Sequence, residues 1–385
     1  MTFHLLVLPG DGIGPEVIAQ ARRVLDWFVT RRGLAIEIED GLIGGASHDR
    51  HGSFLTEQTK ARARAADAVL IGAEGGPKWA RIRAGSGPES RGGLIRLRRE
   101  LDVYANLRPI RVFDALAGDS PLKAEVIRGV DFVILRELTG GVYFGEPRGI
   151  EELPDGTRRA VDTQVYTTPE IERIARVAFD LARGRAGRLH SVEKANVMKT
   201  GVLWRQEVER LHRAEYSDVA LENVLADNCA MQLIRNPRQF DVIVTDNLFG
   251  DLLSDGAAMI AGSLGMLPSA SLGAPLGTPG APGAEDRRKA IYEPVHGSAP
   301  DIAGRGLANP LGAILSVAMM LRHSLNREAE AALLEGAVEA ALGSGLRTAD
   351  IAPAGAPPGA PPGAPTVGTQ TMGDGVLAAL EAATR

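Results

Sequence analysis

The sequence predicts an α/β fold in two lobes, and three observations carry that prediction. Short apolar runs at residues 5–8, 68–71, 131–135 and 241–245 read as strands, and stretches of helical periodicity separate them. Strands alternating with helices point to α/β architecture. The 385 residues exceed what one hydrophobic core sustains, so two lobes are expected. Apolar residues at 44% and charged residues at 24% are the balance of an ordinary globular chain, which leaves enough apolar side chain for two such cores.

Composition also narrows the function. The formal net charge is −5 and no basic run forms a stripe, so a nucleic-acid partner is not expected. No apolar stretch approaches the roughly 18 residues of a membrane span. The start, MTFHLLVL, runs directly into a Pro-Gly turn and lacks the charged opening and cleavage site of a signal peptide. Cys229 is the only cysteine, which excludes a disulfide framework and a cysteine metal cage. A soluble, cytoplasmic protein is expected.

The first strand leads into Pro9-Gly10-Asp11-Gly12-Ile13-Gly14 and then a helix. Val17, Ile18, Ala21, Val24, Leu25 and Phe28 paint one apolar stripe on it, Pro15 sits in its first turn and Gly33 stops it. The glycine-rich turn imitates a dinucleotide fingerprint. However, G-x-G-x-x-G requires glycine where Pro15 stands, so a nucleotide would need a non-Rossmann site. Tight turn and ligand loop both remain open there. Residues 273–283 (GAPLGTPGAPG) and 353–365 (PAGAPPGAPPGAP) cannot fill a core and read as exposed loop insertions, because periodic sequence resumes after each.

Four segments place polar groups inside apolar surroundings. LRRELDVYANLRP (residues 97–109) carries Arg98 and Arg108; ILRELTGGVYFG (residues 134–145) carries Arg136 directly after an apolar run, and Tyr143. Arginines at such places either form structural ion pairs or clamp a di- or tricarboxylate through bidentate bonds. SVEKANVM (residues 191–198) sets Lys194, one of few lysines, in a mostly apolar stretch. It reads as a desolvated general base or as a partner of Glu193 or a distant carboxylate. DVIVTDNLFGDLLSD (residues 241–255) puts Asp251 and Asp255 four apart on one helical face, roughly 5–6 Å from each other. That spacing suits a hard cation such as Mg²⁺ or Mn²⁺; the other reading is a pair of carboxylates answering the helix dipole. Asp227 is a further carboxylate in apolar context.

Taken together the motifs resemble the isocitrate/isopropylmalate dehydrogenase family, and within it the isopropylmalate branch. The likeness runs from LPGDGIGPEV (8–17) through GGPKW (75–79), ANLRP (105–109), RELTGGVYFGEPRG (136–149), KAN (194–196) and DNCAMQLIRNP (227–237). It continues through FGDLLSD (249–255) and EPVHGSAPDIAG (293–304) to MGD (372–374). The resemblance implies an isocitrate/isopropylmalate dehydrogenase-like two-lobed fold with a non-Rossmann nucleotide site. Residues 1–103 and 262–385 would form the nucleotide-binding lobe, and residues 104–261 the substrate, metal and dimerisation lobe. The chain would cross near Val103 and Gly262, leaving both termini in the first lobe.

The resemblance implies NAD-dependent oxidative decarboxylation of 3-isopropylmalate to 4-methyl-2-oxopentanoate and CO₂, in leucine biosynthesis. Arg98, Arg108 and Arg136 would bind the substrate carboxylates, Lys194 would be the base and Tyr143 the proton donor. Asp227, Asp251 and Asp255 would hold Mg²⁺ or Mn²⁺, with Asp227 also meeting the substrate. Lys194 and Asp227 would come from the neighbouring subunit of a homodimer, so that the active sites are shared. NAD would rest on the loop of His296, Gly297, Ser298, Ala299 and Asp301, with Asn309 near the adenine and Asn196 also at the cofactor. Leu94, Ile95 and Val197 would meet the isopropyl group. Asp301, followed by Ile302 rather than the Lys-Tyr pair of NADP-using relatives, would accept from the ribose hydroxyls and repel a 2′-phosphate.

Two departures from the family pattern bear on substrate choice. Ser90-Arg91-Gly92 lengthens the loop between Glu89 and Arg98 by about two residues, and Glu74 stands before GGPKW where an apolar residue is usual. An apolar pocket discriminates by only about 1–3 kcal/mol per methylene, so D-malate, tartrate and homoisocitrate are the alternative substrates. A non-catalytic regulatory subunit is the alternative of another class; it would be expected to lose Lys194, Tyr143 or the carboxylates, all of which are present.

Overall fold

In the computed structural model the described residues are 2–85, 88–118, 120, 122–275, 288–352 and 366–385. The first strand, β1 (Phe3–Gly10), turns into α1 (Gly14–Arg32), which Gly33 closes in a left-handed conformation at φ 65°. There follow β2 (Ile36–Asp40), α2 (Gly44–His51), α3 (Glu57–Ala65), β3 (Ala68–Ala73), α4 (Ala80–Arg83) and α5 (Gly92–Glu100). The middle of the chain holds β4 (Ala105–Arg111), α6 (Ala124–Ile127), β5 (Asp131–Glu137), the strands β6 (Gly149–Glu152) and β7 (Arg158–Val161), and α7 (Thr168–Arg183). Next come β8 (Arg188–Glu193), α8 (Lys199–Glu215), β9 (Ala220–Leu225), α9 (Ala226–Arg235), β10 (Val242–Thr245) and α10 (Asn247–Ala261). The C-terminal part contributes β11 (Pro268–Pro275), β12 (Arg288–Pro294), α11 (Leu311–His323), α12 (Glu328–Gly343) and α13 (Thr369–Ala383).

The chain divides into two compact units. The first comprises Met1–Val103, Arg111–Gly129 and Ala258–Arg385; its strands lie in the order β2-β1-β3-β12-β11. β1 pairs parallel with β2 and β3, β12 joins β3 in parallel, and β11 runs antiparallel to β12. The apolar run of β3 is buried throughout, as a strand covered on both faces must be. Leu6, Leu8, Val69, Ile71, Leu97, Val103 and Ile291 meet in one core cluster. The second unit comprises Tyr104–Ile110 and Val130–Ala257, with strand order β4-β5-β10-β8-β9. Here β10 lies parallel to β5 and β8, and β9 parallel to β8. β6 and β7 form a separate antiparallel hairpin.

Residues 111–129, which the sequence division assigns to the 104–261 lobe, pack within the first unit, and the last crossing falls at Ala258, near Gly262. Inside the first unit the Arg347 guanidinium binds the Ala115 carbonyl and Arg111 pairs with Glu339 at 2.8 Å, contacts no local pattern announces. The strand expected to end at residue 135 continues through Glu137, with Arg136 in register with Thr245. The Gly/Pro-rich stretch 353–365 lies outside the described residues. Of 273–283, residues 273–275 still belong to β11 and the rest lies outside them.

Candidate active site

In open parallel sheets, ligand-binding groups gather beyond the carboxyl ends of the strands. The second unit places several of the expected site residues at such strand ends. β5 ends on Arg136 and Glu137, β10 leads into Asp246 and α10, and β8 leads into Lys194. Arg136 is 2% exposed, so its guanidinium needs partners inside the protein. Asn247 Oδ1 accepts from both Nε (2.9 Å) and Nη2 (2.7 Å), and the Asp251 carboxylate accepts from Nη1. Gly250 makes this approach possible: a Cβ there would lie 2.6 Å from Arg136 Cγ. Arg108, on β4, donates to Asn106 Oδ1 at 2.9 Å, to Ser254 Oγ at 2.6 Å and to Asp255 at 3.2 Å, and lies 3.4 Å from Asp251.

Tyr143 completes this cluster. Its hydroxyl donates to Asp251 Oδ2 at 2.8 Å, and Arg136 lies over its ring at 5.2 Å. Burial, then the Asp251 carboxylate, push the phenol pKa above its ordinary value, so the group keeps its proton. Burial also raises the Asp255 carboxyl, and the neighbouring Asp251 adds to that while Arg108 opposes it. Asp251 and Asp255 share a face of α10 as the four-residue spacing requires. Arg108, Arg136, Tyr143, Asp251 and Asp255 are therefore brought together by one unit of one chain.

Lys194 stands differently. Glu193 is occupied by Arg205 and by the Ala195 N–H, and Lys194 pairs with Asp227 at 2.7 Å. The Lys194 ammonium lowers the Asp227 pKa, and the Asp227 side chain is 62% exposed. Asn196 beside it is exposed, and Val197 is 73% exposed. Among the described residues no three His, Cys, Asp or Glu side chains come close enough to share a metal ion, so Asp227 does not join Asp251 and Asp255 within one protomer. The donor set of one chain suits a hard divalent cation in chemistry, two carboxylates on one face, but is short of ligands.

In the first unit Arg98, on α5, forms an ion pair with Glu293 of β12. Leu94 packs in part against the core cluster, and Ile95 is half-buried. The Gly10–Gly14 turn meets the His296–Ala303 loop directly. Ile13 N–H donates to the Ser298 carbonyl at 2.9 Å, and a Cβ on Gly12 (φ 57°) would lie 1.9 Å from that same oxygen. The His296 Nδ1 lies 2.9 Å from the Gly297 carbonyl, while its buried Nε2 has no partner among the described residues. Ala299 takes a positive φ of 36°, unusual for a residue with a side chain, and Asp301 is exposed. Arg305 donates to the Asp301 carbonyl at 3.5 Å. The Gly297–Asp301 stretch and the unsatisfied imidazole nitrogen fit a dinucleotide. Asn309 is committed inward: it accepts from Leu311 N–H and donates to Asp350 and Met266.

Sequence reasoning missed Asn247, Ser254 and Glu293, the partners that fix the three arginines. Asn247 and Ser254 stand inside the DNLFGDLLSD motif and Glu293 opens EPVHG, so their presence was visible but their partners were not.

Residues 4–376 match the family described as isocitrate/isopropylmalate dehydrogenase. The chain is 57% identical over 379 residues to the 3-isopropylmalate dehydrogenase of Cereibacter sphaeroides, covering 98% of each chain. It is 58% identical over 377 residues to that of Rhodospirillum rubrum, covering 98% of this chain and 97% of the relative. Among solved structures it resembles the isocitrate dehydrogenase of Methylococcus capsulatus at 32% identity and a TM-score of 0.82, over 98% of this chain and 99% of that one. It also resembles a beta-decarboxylating dehydrogenase of Thermococcus kodakarensis at 34% identity and a TM-score of 0.74, over 99% and 97%.

Proposed function

We propose that this chain, which belongs to the isocitrate/isopropylmalate dehydrogenase family, oxidises and decarboxylates 3-isopropylmalate to 4-methyl-2-oxopentanoate and CO₂, with NAD and Mg²⁺ or Mn²⁺, in leucine biosynthesis. The observation that carries the reading is the cluster in which one carboxylate, Asp251, holds both Arg136 and Tyr143 while Arg108 bridges to Asp255. It combines anion-binding guanidiniums, a protonated phenol and hard oxygen donors, the parts an oxidative decarboxylation needs. The homologues' names support the substrate, which Leu94, Ile95 and Val197 would meet through its isopropyl group.

Arg98, Arg108 and Arg136 would bind the carboxylates of the malate core, and the inner partners of Arg108 and Arg136 fix their guanidinium planes before substrate arrives. Lys194 takes the C2 hydroxyl proton as that carbon is oxidised. Tyr143, oriented by Asp251, delivers its proton to C3 once CO₂ has left. When bound, the dinucleotide accepts hydride and the divalent cation supplies Lewis-acid charge. Asp251 and Asp255 would hold the cation with Asp227 of a second protomer, so the active unit is a homodimer that also contributes Lys194 in trans. His296, Gly297, Ser298, Ala299 and Asp301 would carry the dinucleotide, with Asn309 shaping the adenine end and Asn196 nearby. No helix among the described residues is long and apolar enough to cross a membrane.

The test is NADH formation with 3-isopropylmalate, D-malate, isocitrate and tartrate, each with Mn²⁺. The highest kcat/KM is expected for 3-isopropylmalate, and EDTA in excess should abolish turnover. A higher kcat/KM for another of the four would overturn the substrate, and full turnover in EDTA the metal. Because Asp301 is exposed where the ribose would lie, NAD should exceed NADP by at least about a hundredfold in kcat/KM. Asp301→Lys should shrink or invert that ratio, and equal use of both cofactors by the unmodified protein would contradict the assignment.

A further inference from the structure

The two departures from the family pattern, Glu74 and the longer Ser90–Gly92 loop, meet in space. Glu74 directly follows β3, and its two carboxylate oxygens accept from the Gly93 N–H at 2.6 Å and the Leu94 N–H at 2.7 Å. These are the second and third residues of α5, whose own N-cap residue, Arg91, supplies no side-chain cap. The first N–H groups of a helix have no partner within it and must find one elsewhere. A Cβ on Gly92 (φ 71°) would lie 2.8 Å from Glu74 Oε1 and 2.9 Å from Arg83 Nη2, so carboxylate and guanidinium close directly over the helix start. The far side of the loop is tied by Glu89, which accepts from Phe54 N–H (2.7 Å), Ser53 Oγ (2.9 Å) and Arg96 Nη1 (2.8 Å).

Asp11 treats α2 in the same way, accepting from Gly45 N–H at 2.7 Å and Ala46 N–H at 2.8 Å, and also from Gly75 N–H at 2.8 Å. An apolar residue at position 74 would leave both α5 amides without an acceptor and the lengthened loop without its anchor. We propose that Glu74 is a positioning residue for substrate choice: as a cap supplied from another segment, it fixes the first turn of α5 and through it Leu94, Ile95 and Arg98. The proposal rests on the reading that these three residues meet the substrate.

Glu74→Val and Glu74→Gln in the full-length protein test it, each compared with the parent for kcat and KM on 3-isopropylmalate and on D-malate. Hydrogen exchange at the Gly93 and Leu94 amides is measured alongside. Glu74→Val should lower the 3-isopropylmalate to D-malate ratio of kcat/KM about tenfold, through KM more than kcat. Glu74→Gln, which keeps one acceptor oxygen, should restore part of it and carries the test alone if the valine variant does not fold. Exchange at both amides should quicken. A ratio within about twofold of the parent in the folded variants overturns the role in substrate choice. Unchanged exchange overturns the cap itself, a measurement that needs no turnover. An unmodified protein that oxidises neither substrate fails the functional reading while the exchange result still stands.

Discussion

The second unit presents its candidate catalytic groups in two states of completion. Around α10 the carboxylates are enclosed: Asp251 is held by Arg136 and Tyr143, and Asp255 by Arg108, with Asn247 and Ser254 fixing the guanidiniums from behind. Beside α9, Lys194 and Asp227 bind each other near exposed Val197 and Asn196, and among the described residues Asp227 belongs to no group of three metal-ligating side chains. The first arrangement is preorganised by its own chain. The second leaves a lysine paired with one carboxylate near the surface, and the proposed dimer would carry this pair into a site of another protomer.

The severest way to break this contrast is Asp251→Asn. It removes the negative charge and replaces one of the two oxygens that accept from Arg136 and Tyr143 with an NH2 group, which is also the loss of one hard oxygen donor, and kcat/KM should fall by at least about a thousandfold. Steady-state NADH formation measures it; a loss under about tenfold would mean the enclosed cluster is not catalytic. Lys194→Ala should be similarly inactive alone. Co-refolding it with Asp251→Asn should return about a quarter of parental activity, because random pairing in a two-fold dimer makes one intact site in each mixed dimer. Mixtures as inactive as their parents would place both halves of the site in one chain.

Two further substitutions sharpen what the enclosed half owes to its inner partners. Asn247 is 1% exposed and its side chain bonds Arg136 twice and the Gly140 carbonyl once. Asn247→Ala should cost about 3 kcal/mol in denaturant unfolding, since it leaves a buried guanidinium short of acceptors. Asp246 is a smaller case. Burial raises its carboxyl from 3.8 to about 6, against bonds from Phe249 N–H and Gln164. The fold thus favours the neutral acid: that contribution is full below about pH 3.8 and is lost as pH rises through about 6. Asp246→Asn should therefore stabilise the protein by about 1–3 kcal/mol at pH 8, and the gain should shrink towards pH 4. A gain independent of pH would show that the charge is not its origin.

Much of this was legible without a structure. The apolar runs, the stripe on α1 and its Gly33 stop state local preferences that no tertiary contact overrules. The spacing of Asp251 and Asp255 fixes their common face through helix geometry alone. Arg136 could be recognised as a cation needing a buried anion, and Lys194 as a lysine with either a catalytic or a pairing role.

Only the tertiary structure decided which partner each charge takes. Asn247 answers Arg136, Glu293 answers Arg98, Asp227 rather than Glu193 answers Lys194, and Glu74 crosses from the end of β3 to the start of α5. It also drew Arg111–Gly129 into the first unit. Periodicity and capping preferences act over a few neighbouring residues and are therefore written in the sequence. Ion pairs between segments depend on how strands stack and how closely glycines such as Gly250 and Gly12 let the backbone approach, which the chain settles only by folding.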